Sequence, residues 1–451
     1  MPLSWLVTHA EIVLLSFLVL AAASVLLQQR RSPQSTASWL LFLILAPYLA
    51  IPIFIGLGFR KHHAGPGRLT MRTIAETPAV NTFDATLRAY GLPQATGGHT
   101  FELLTDPSQT RLALMDMVAN ATQRIDALFY IVSNDAIGRD FVAALTAKAH
   151  NGVQVRLIID RLGTLRPPRR ALSKLIAAGG EVHYFSPFVR LPSHSHLNLR
   201  NHRKILIIDD VAVFGGGMNV GHEYLGEGSD VWTDLAFTLR GPAVASFIDV
   251  FESDWSGTGG GGRDTNSAQQ PHTGGAVAQL VPAGPDLHHD GLHDGLVNAI
   301  HRATDRVWIV TPYFLPTDTL LEALSVAGRR GVDVRVILPR RSNQRIADFA
   351  RGAYLRDLQT AGCRIMQFGP GMLHAKTSVI DNIALVGSAN FDVRSMLLNF
   401  EDMLVLHDPD SVSKLAEWIA TQQARCETGV ADAGILRRIG EGLFRIGAPI
   451  L

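Results

Sequence analysis

Two long apolar runs open the chain, and beyond them the periodicity changes character. Ile12 to Leu27 is apolar apart from Ser16 and Ser24, and Leu3 to Val7 extends it toward the start. Ala37 to Phe59 is the second run and carries no charged residue. A helix of about 20 apolar residues crosses the hydrocarbon core of a bilayer, so the pattern predicts a two-helix transmembrane hairpin over 1–60. A cleaved signal peptide fits poorly, because no Lys or Arg precedes the first apolar core and the second run follows at once. Pro47 and Pro52 predict a kinked or re-entrant second helix. Arg30 and Arg31 lie between the runs, while Arg60, Lys61, Arg68 and Arg72 follow the second. The larger cluster favours a cytoplasmic carboxy-terminal bulk, with topology otherwise open.

Further on, apolar stretches shorten to strand length and alternate with helical periods, and the alternation happens twice. Strand-like runs at Ile125 to Val132 and Val307 to Phe314 precede helical patterns at Phe141 to Ala149 and Leu320 to Arg329. Next, Asn151-Gly-Val-Gln-Val-Arg-Leu-Ile-Ile-Asp160 matches Arg330-Gly-Val-Asp-Val-Arg-Val-Ile-Leu-Pro339, and Ala178 to Pro187 echoes Ala361 to Pro370. This alternation predicts parallel βαβ connections in a duplicated α/β unit. The expected division is a hairpin at 1–60, a first repeat at 61–256, a flexible Gly-rich linker at 257–275, a second repeat at 276–425 and an amphipathic tail at 426–451. In the tail, Ile435, Leu436, Ile439, Leu443 and Ile446 alternate with Arg437, Arg438 and Arg445. That pattern suits either a helix over the core or one lying in a membrane interface.

Each repeat carries one string that stands apart chemically. His202 and Lys204 are followed by Ile205-Leu-Ile-Ile-Asp209, then Gly216, Gly217 and Asn219; His374 and Lys376 are followed by Thr377-Ser-Val-Ile-Asp381, then Gly387, Ser388 and Asn390. The β-branched runs read as buried strands. Side chains on a strand alternate faces, so each His shares a face with its Lys, and Asp209 and Asp381 have the opposite parity. One imidazole, one cation and one amide make half of a phosphodiester site, and there are two halves. Asp234 and Glu401 each stand just before another strand, where an acid could hold the second nitrogen of a histidine and fix its tautomer. Tyr313 and Phe314 suit a site or the core. Arg394 and Ser395, close after Asn390, suit a head group or a structural ion pair.

Composition narrows the partners. The 451 residues hold 41 Lys+Arg against 40 Asp+Glu, without the basic excess that nucleic-acid binding ordinarily brings. Cys363 and Cys426 make neither a metal spacing nor a disulfide framework. His288, His289 and His293 lack the companions of a metal site and read as surface. The sequence has neither a Walker-type phosphate loop nor a zinc-protease helix, and the expectation is no cofactor and no metal.

At these residues the chain resembles the phospholipase D superfamily, with its two HKD motifs, and within it the bacterial cardiolipin synthases. The similar stretches are Asn201 to Ile205, Gly215 to Gly221, Thr311 to Phe314, Pro370 to Lys376, Gly387 to Ser395 and Asn399 to Glu401. Thr233 departs from the pattern where an Arg is expected before Asp234, and the Ser133-Asn134-Asp135 stretch after Tyr130 is also unusual; both bear on acceptor preference. The resemblance implies a duplicated phospholipase D-like fold of mixed sheets flanked by helices. It also implies a phosphatidyltransferase that joins two phosphatidylglycerol molecules into cardiolipin through a phosphohistidine. Its catalytic set would be His202, Lys204, Asp209, His374, Lys376 and Asp381, although parity makes the two aspartates structural rather than catalytic. Family order makes His202 the nucleophile and His374 the acid. Asn219, Asn390 and Ser388 would bind phosphate, and Asp234 and Glu401 would orient the histidines. The expected setting is the inner cell membrane as a multi-pass protein; an oligomer stays open. Hydrolysis of phospholipids, or phosphatidylethanolamine as donor, are the alternatives.

Overall fold

The computed structural model describes residues 3–29, 33–58, 69–72, 77–185, 199–263 and 270–446. The chain divides into two compact units, Met1–Ala64 with Ser186–Leu199, and Gly65–Phe185 with Arg200–Leu451.

In the first unit, α1 (Leu3–Gln28) contains Thr8–Gln28, which is long and apolar enough to cross a membrane, with a mean hydropathy of 2.5. The second apolar run is interrupted at the first of the two prolines expected to kink it or make it re-entrant. It forms α2 (Pro33–Leu45) and α3 (Pro47–Leu57), 13 and 11 residues long. The break falls at Ala46, whose φ of −139° is not helical, because Pro47 has no N–H and clashes with the preceding turn unless it starts a new helix. Pro52 is accommodated inside α3. Leu26, Leu43, Ala50, Ile51 and Phe54 form a small core, with Trp39 edge-on to Phe54 at 5.3 Å. Of the charges behind the orientation expectation, Arg30, Arg31, Arg60, Lys61 and Arg68 lie outside the described residues, and Arg72 pairs with Asp249 at 2.6 Å.

The second unit is built on one sheet. The first repeat supplies β1 (Thr96–Leu104), β2 (Arg124–Phe129), β3 (Gln154–Asp160), β4 (Glu181–Phe185), β5 (Lys204–Ile208), β6 (Ala212–Gly216) and β7 (Ala236–Arg240). The second supplies β8 (Ala276–Ala283), β9 (Arg306–Val310), β10 (Phe314–Leu315), β11 (Asp333–Pro339), β12 (Arg364–Phe368), β13 (Thr377–Ile380), β14 (Ile383–Gly387), β15 (Phe391–Asp392), β16 (Glu401–Leu406) and β17 (Cys426–Thr428). Apart from the small parallel pair β10–β15, all join a 15-stranded sheet. From one side its order runs β4-β3-β2-β5-β6-β7-β1, and from the other β17-β12-β11-β9-β13-β14-β16-β8, the two meeting where β1 pairs antiparallel with β8. The duplication is therefore a two-fold arrangement within one continuous sheet. The βαβ expectation holds for β2-β3-β4 and β9-β11-β12, which pair in parallel; the other pairings in this sheet are antiparallel. Covered on both faces, β5 and β13 are buried throughout, which is why their apolar residues run on instead of alternating.

Two boundaries differ from expectation. The linker is pinned at its described ends. A helix continues to Gly257, Arg263 pairs with Asp210 at 2.6 Å and Glu252 at 2.7 Å, and Thr273 Oγ1 accepts from the Thr100 N–H. Residues 264–269 of that linker lie outside the described residues. Cys426, placed in the tail by its sequence, starts the edge strand β17 against β12. The tail helix Ile435–Ile446 buries Glu441 in ion pairs with Arg356 and Arg437, yet leaves Ile435, Leu436 and Ile439 exposed. Cys363 and Cys426 are free thiols.

Candidate active site

His202 and His374 are set by the backbone on either side of the two-fold. Each stands two residues before its strand-leading lysine, in a segment that leaves its own sheet position to pair with the other repeat. Asn201 bridges to Phe400, and the His202 N–H donates to the Phe400 carbonyl at 2.9 Å. Reciprocally, Leu373 bridges to Thr233, and the His374 N–H donates to the Thr233 carbonyl at 2.7 Å. The residue that follows each of these partners is an acid, Glu401 or Asp234, so each repeat delivers its acid to the histidine of the other. Nδ1 of His202 lies 2.9 Å from a Glu401 oxygen and 3.1 Å from the Ser388 carbonyl. Nδ1 of His374 lies 2.7 Å from Asp234. With Nδ1–H held by a carboxylate, Nε2 is the nitrogen left for chemistry.

The two acids are secured differently. Glu401, the longer one, accepts from Ser388 Oγ at 2.6 Å, Ser395 Oγ at 2.8 Å and Asn399 Nδ2 at 3.3 Å. Asp234 accepts from the Leu235 N–H at 2.7 Å, and Gly217 leaves room for it: a Cβ there would stand 2.3 Å from Oδ1. Burial works against both charges. The cation of Lys376 with His374 for Asp234, and His202 with Lys204 for Glu401, outweigh it and hold both carboxyls below their usual range.

Burial dominates the bases. It lowers His202, opposed by Glu401, and pushes His374 down to about 3, with Lys376 adding to the shift. Lys204 falls to about 7 and Lys376 to about 8, again mainly through burial, with Lys376 lowering Lys204 further. Lys204 Nζ donates to the His202 carbonyl at 2.5 Å; Lys376 Nζ lies 2.7 Å and 3.1 Å from the two nitrogens of His374. Two ammonium groups that burden one another in a buried site favour an anion between them. Asn219 accepts from the Ile131 N–H at 3.0 Å. Among the described residues, Asn219 Nδ2 is buried without a hydrogen-bond partner, as expected of an amide N–H kept for an anion, whereas the unpartnered atom of Asn390 is Oδ1, an acceptor, so a phosphate oxygen at Asn390 requires its Nδ2.

Not every expected residue falls at this centre. Asp209 and Asp381 terminate β5 and β13 at the far end from the imidazoles, with φ of 51° and 47°. The Asp209 carboxylate takes the N–H groups of Thr122, Gln123 and Arg124, and Asp381 takes those of Thr304, Asp305 and Arg306. They clamp hairpin turns to the neighbouring strand and touch no reacting group, which is what their parity requires. Ser388, expected on phosphate, instead spends its hydroxyl on Glu401 and on the Asp402 N–H. Tyr130, Tyr224 and Trp232 were missed: their rings lie 4.9 Å from His202, and 5.3 and 5.0 Å from His374. For Trp232 a signal existed, since it stands two residues before Asp234 on the same side of an extended segment. Tyr313 is at 6.4 Å from His374, while Phe314 is buried in the core.

Fold and paired half-sites define a duplicated phospholipase D-like protein. The family profile described as "Cardiolipin synthase, PLD-like domain" matches residues 114–255 and 296–422, one segment in each repeat. The chain belongs to the cardiolipin synthase family. It is 32% identical to cardiolipin synthase A of Pseudomonas fluorescens over 98% of each chain, and 31% identical to the major cardiolipin synthase of Bacillus subtilis over 96% of this chain and 97% of that one. Among solved structures, the phosphatidylserine synthase of Haemophilus influenzae shares the fold with a TM-score of 0.62 at 14% identity, covering 82% of this chain and 99% of that one.

Proposed function

We propose that the chain is a phosphatidyltransferase that moves the phosphatidyl group of one phosphatidylglycerol onto the free hydroxyl of a second, giving cardiolipin and glycerol. The observation that carries this reading is the crossed pair His202–Glu401 and His374–Asp234, two imidazoles each held at Nδ1 by a carboxylate from the other repeat, beside two buried lysines, of which Lys376 also approaches Nε2 of His374. Following the family order, His202 Nε2 attacks phosphorus, and the bond to the glycerol oxygen breaks as His374 delivers its proton. The covalent intermediate splits one difficult displacement into two. In the second step the incoming hydroxyl loses its proton to His374, its oxygen bonds to phosphorus, and the P–N bond returns its electrons to His202. Lys204, Lys376, Asn219 and Asn390 meet the non-bridging oxygens, where charge accumulates. A bound phosphate anion offsets the burial and mutual repulsion that depress the basicity of the imidazoles and lysines, so the proton needed on His374 arrives with the substrate. The reaction exchanges one phosphodiester for another and consumes no nucleotide.

The amino-terminal unit would hold the site at its lipid substrate, α1 spanning the bilayer and α2 with α3 returning through it as a broken second limb. A site facing lipid and poor in water favours transfer over hydrolysis. The test is product analysis by mass with labelled phosphatidylglycerol and the full chain in vesicles. Cardiolipin and glycerol in equal amounts are expected; phosphatidic acid without cardiolipin overturns the reading. His202→Ala should abolish product while the chain keeps its cooperative unfolding transition. Retained activity would overturn the assigned nucleophile.

A further inference from the structure

The reacting groups obey the two-fold, but the groups around them do not. Arg200 stands two residues before His202, on the same side of an extended segment as His202 and Lys204. The equivalent residue before His374 is Met372. The two short helices after the asparagines, His222–Leu225 and Val393–Leu397, show the same asymmetry: their second residues are Glu223 and Arg394. Ser395, the next residue after Arg394, bonds Glu401, which bonds His202, so that helix belongs to the His202 wall. Tyr224, the next residue after Glu223, lies against His374 together with Trp232. The segments that carry both arginines thus adjoin His202, and the matching places around His374 hold a methionine and an exposed glutamate.

Arg394 is mostly buried, and Arg200 adds to the burial that lowers its basicity, while the Tyr130 ring beside His202 feels both guanidinium groups. Asp392 and Glu401 oppose this at Arg394 without cancelling it, and a phosphate shared by the two guanidinium groups opposes it further with bidentate, charge-assisted hydrogen bonds. The phosphorus in transfer already has two lysines and two amides. A second anion is available only in an acceptor that carries its own phosphate, separated from the reacting hydroxyl by the length of a glycerol.

We propose that Arg200 and Arg394 form an anion subsite, with Tyr130 beside them, that holds the phosphodiester of the acceptor lipid and thereby selects phosphatidylglycerol over uncharged alcohols and water. This rests on the transfer reading above and adds to it the basis of acceptor choice. The test gives the full-length protein phosphatidylglycerol vesicles together with ethanol and reads the ratio of cardiolipin to phosphatidylethanol. Both products share the first step and differ only in the acceptor. The double variant Arg200→Gln, Arg394→Gln should lower that ratio roughly tenfold or more, as expected for the loss of charge-assisted hydrogen bonds. Glu223→Gln should leave the ratio in place. Should the double variant give neither product, Arg394→Gln and Arg394→Lys alone carry the same ratio, which should fall in the first and be largely restored in the second. An unchanged ratio, with both products falling together or neither falling, overturns the subsite. A wild-type chain that makes phosphatidic acid and neither transfer product overturns the transfer reading itself.

Discussion

The wall around His202 is polar and tethered, whereas the wall around His374 is aromatic and close-fitting. Glu401 is held by two hydroxyls and an amide, while Asp234 has one backbone N–H and lies where a Gly217 Cβ would otherwise stand. Two aromatic rings, Trp232 and Tyr224, lie against the second imidazole and one, Tyr130, against the first, whose acid is the one tied by Ser395 and Asn399. Duplication therefore preserved what the chemistry requires of both halves and released what only one half must do. Identical reacting groups in unlike walls suit a reaction whose two alcohols differ.

The comparison can be broken at the acids first. Asp234→Asn should reduce turnover of labelled phosphatidylglycerol by about 10³–10⁴, because the amide favours the wrong tautomer and Nδ1 of His374 lacks the backbone carbonyl that Ser388 brings to His202. Glu401→Gln should cost less, about 10²–10³, since Ser388, Ser395 and Asn399 still fix the side chain. Equal losses would mean that the tethers do not matter. Lys376→Met should follow, at about 10²–10³ in kcat.

The lysines also set a pH dependence. Each must be protonated to oppose phosphate charge, so kcat/KM should fall as pH rises through the Lys204 and Lys376 values of about 7 and about 8. Removing Lys376 removes a cation that lowers Lys204, so in Lys376→Met the remaining activity should persist to higher pH. A shift to lower pH in the pH–rate profile would contradict this coupling. Gly217→Ser should lower activity by roughly tenfold by displacing Asp234, with little effect on stability beyond about 1 kcal/mol.

The smallest catalytic effect belongs to the turn aspartates. Asp209→Ala and Asp381→Ala should each cost about 1–3 kcal/mol of stability in denaturant titrations and leave kcat within a few-fold. Burial opposes their charge, but the N–H groups around each hold its carboxyl below the usual range. The stabilisation is thus complete above the ordinary carboxylate pKa and disappears as pH falls through the lowered one.

Much of this was readable from local pattern. The repeat of His, Lys and Asn at matched spacing located both half-sites, and strand parity alone set Asp209 and Asp381 apart from the imidazoles. Partnership across the chain was not readable. Nothing near Glu401 indicates that it serves His202 rather than His374, because that is decided by the bridges Asn201–Phe400 and Thr233–Leu373, far apart in sequence. The seam β1–β8 was hidden for the same reason. In Ala37 to Phe59 hydropathy gave length, but Pro47 decided continuity.

The crossed acids also imply a history. One repeat alone owns a histidine whose acid belongs elsewhere and an acid with no ring to hold, so it could complete a site only by meeting its own twin. The present chain is in effect that pair made permanent: covalent tethering guarantees stoichiometry, and only afterwards could the two copies of each flanking position drift toward separate tasks.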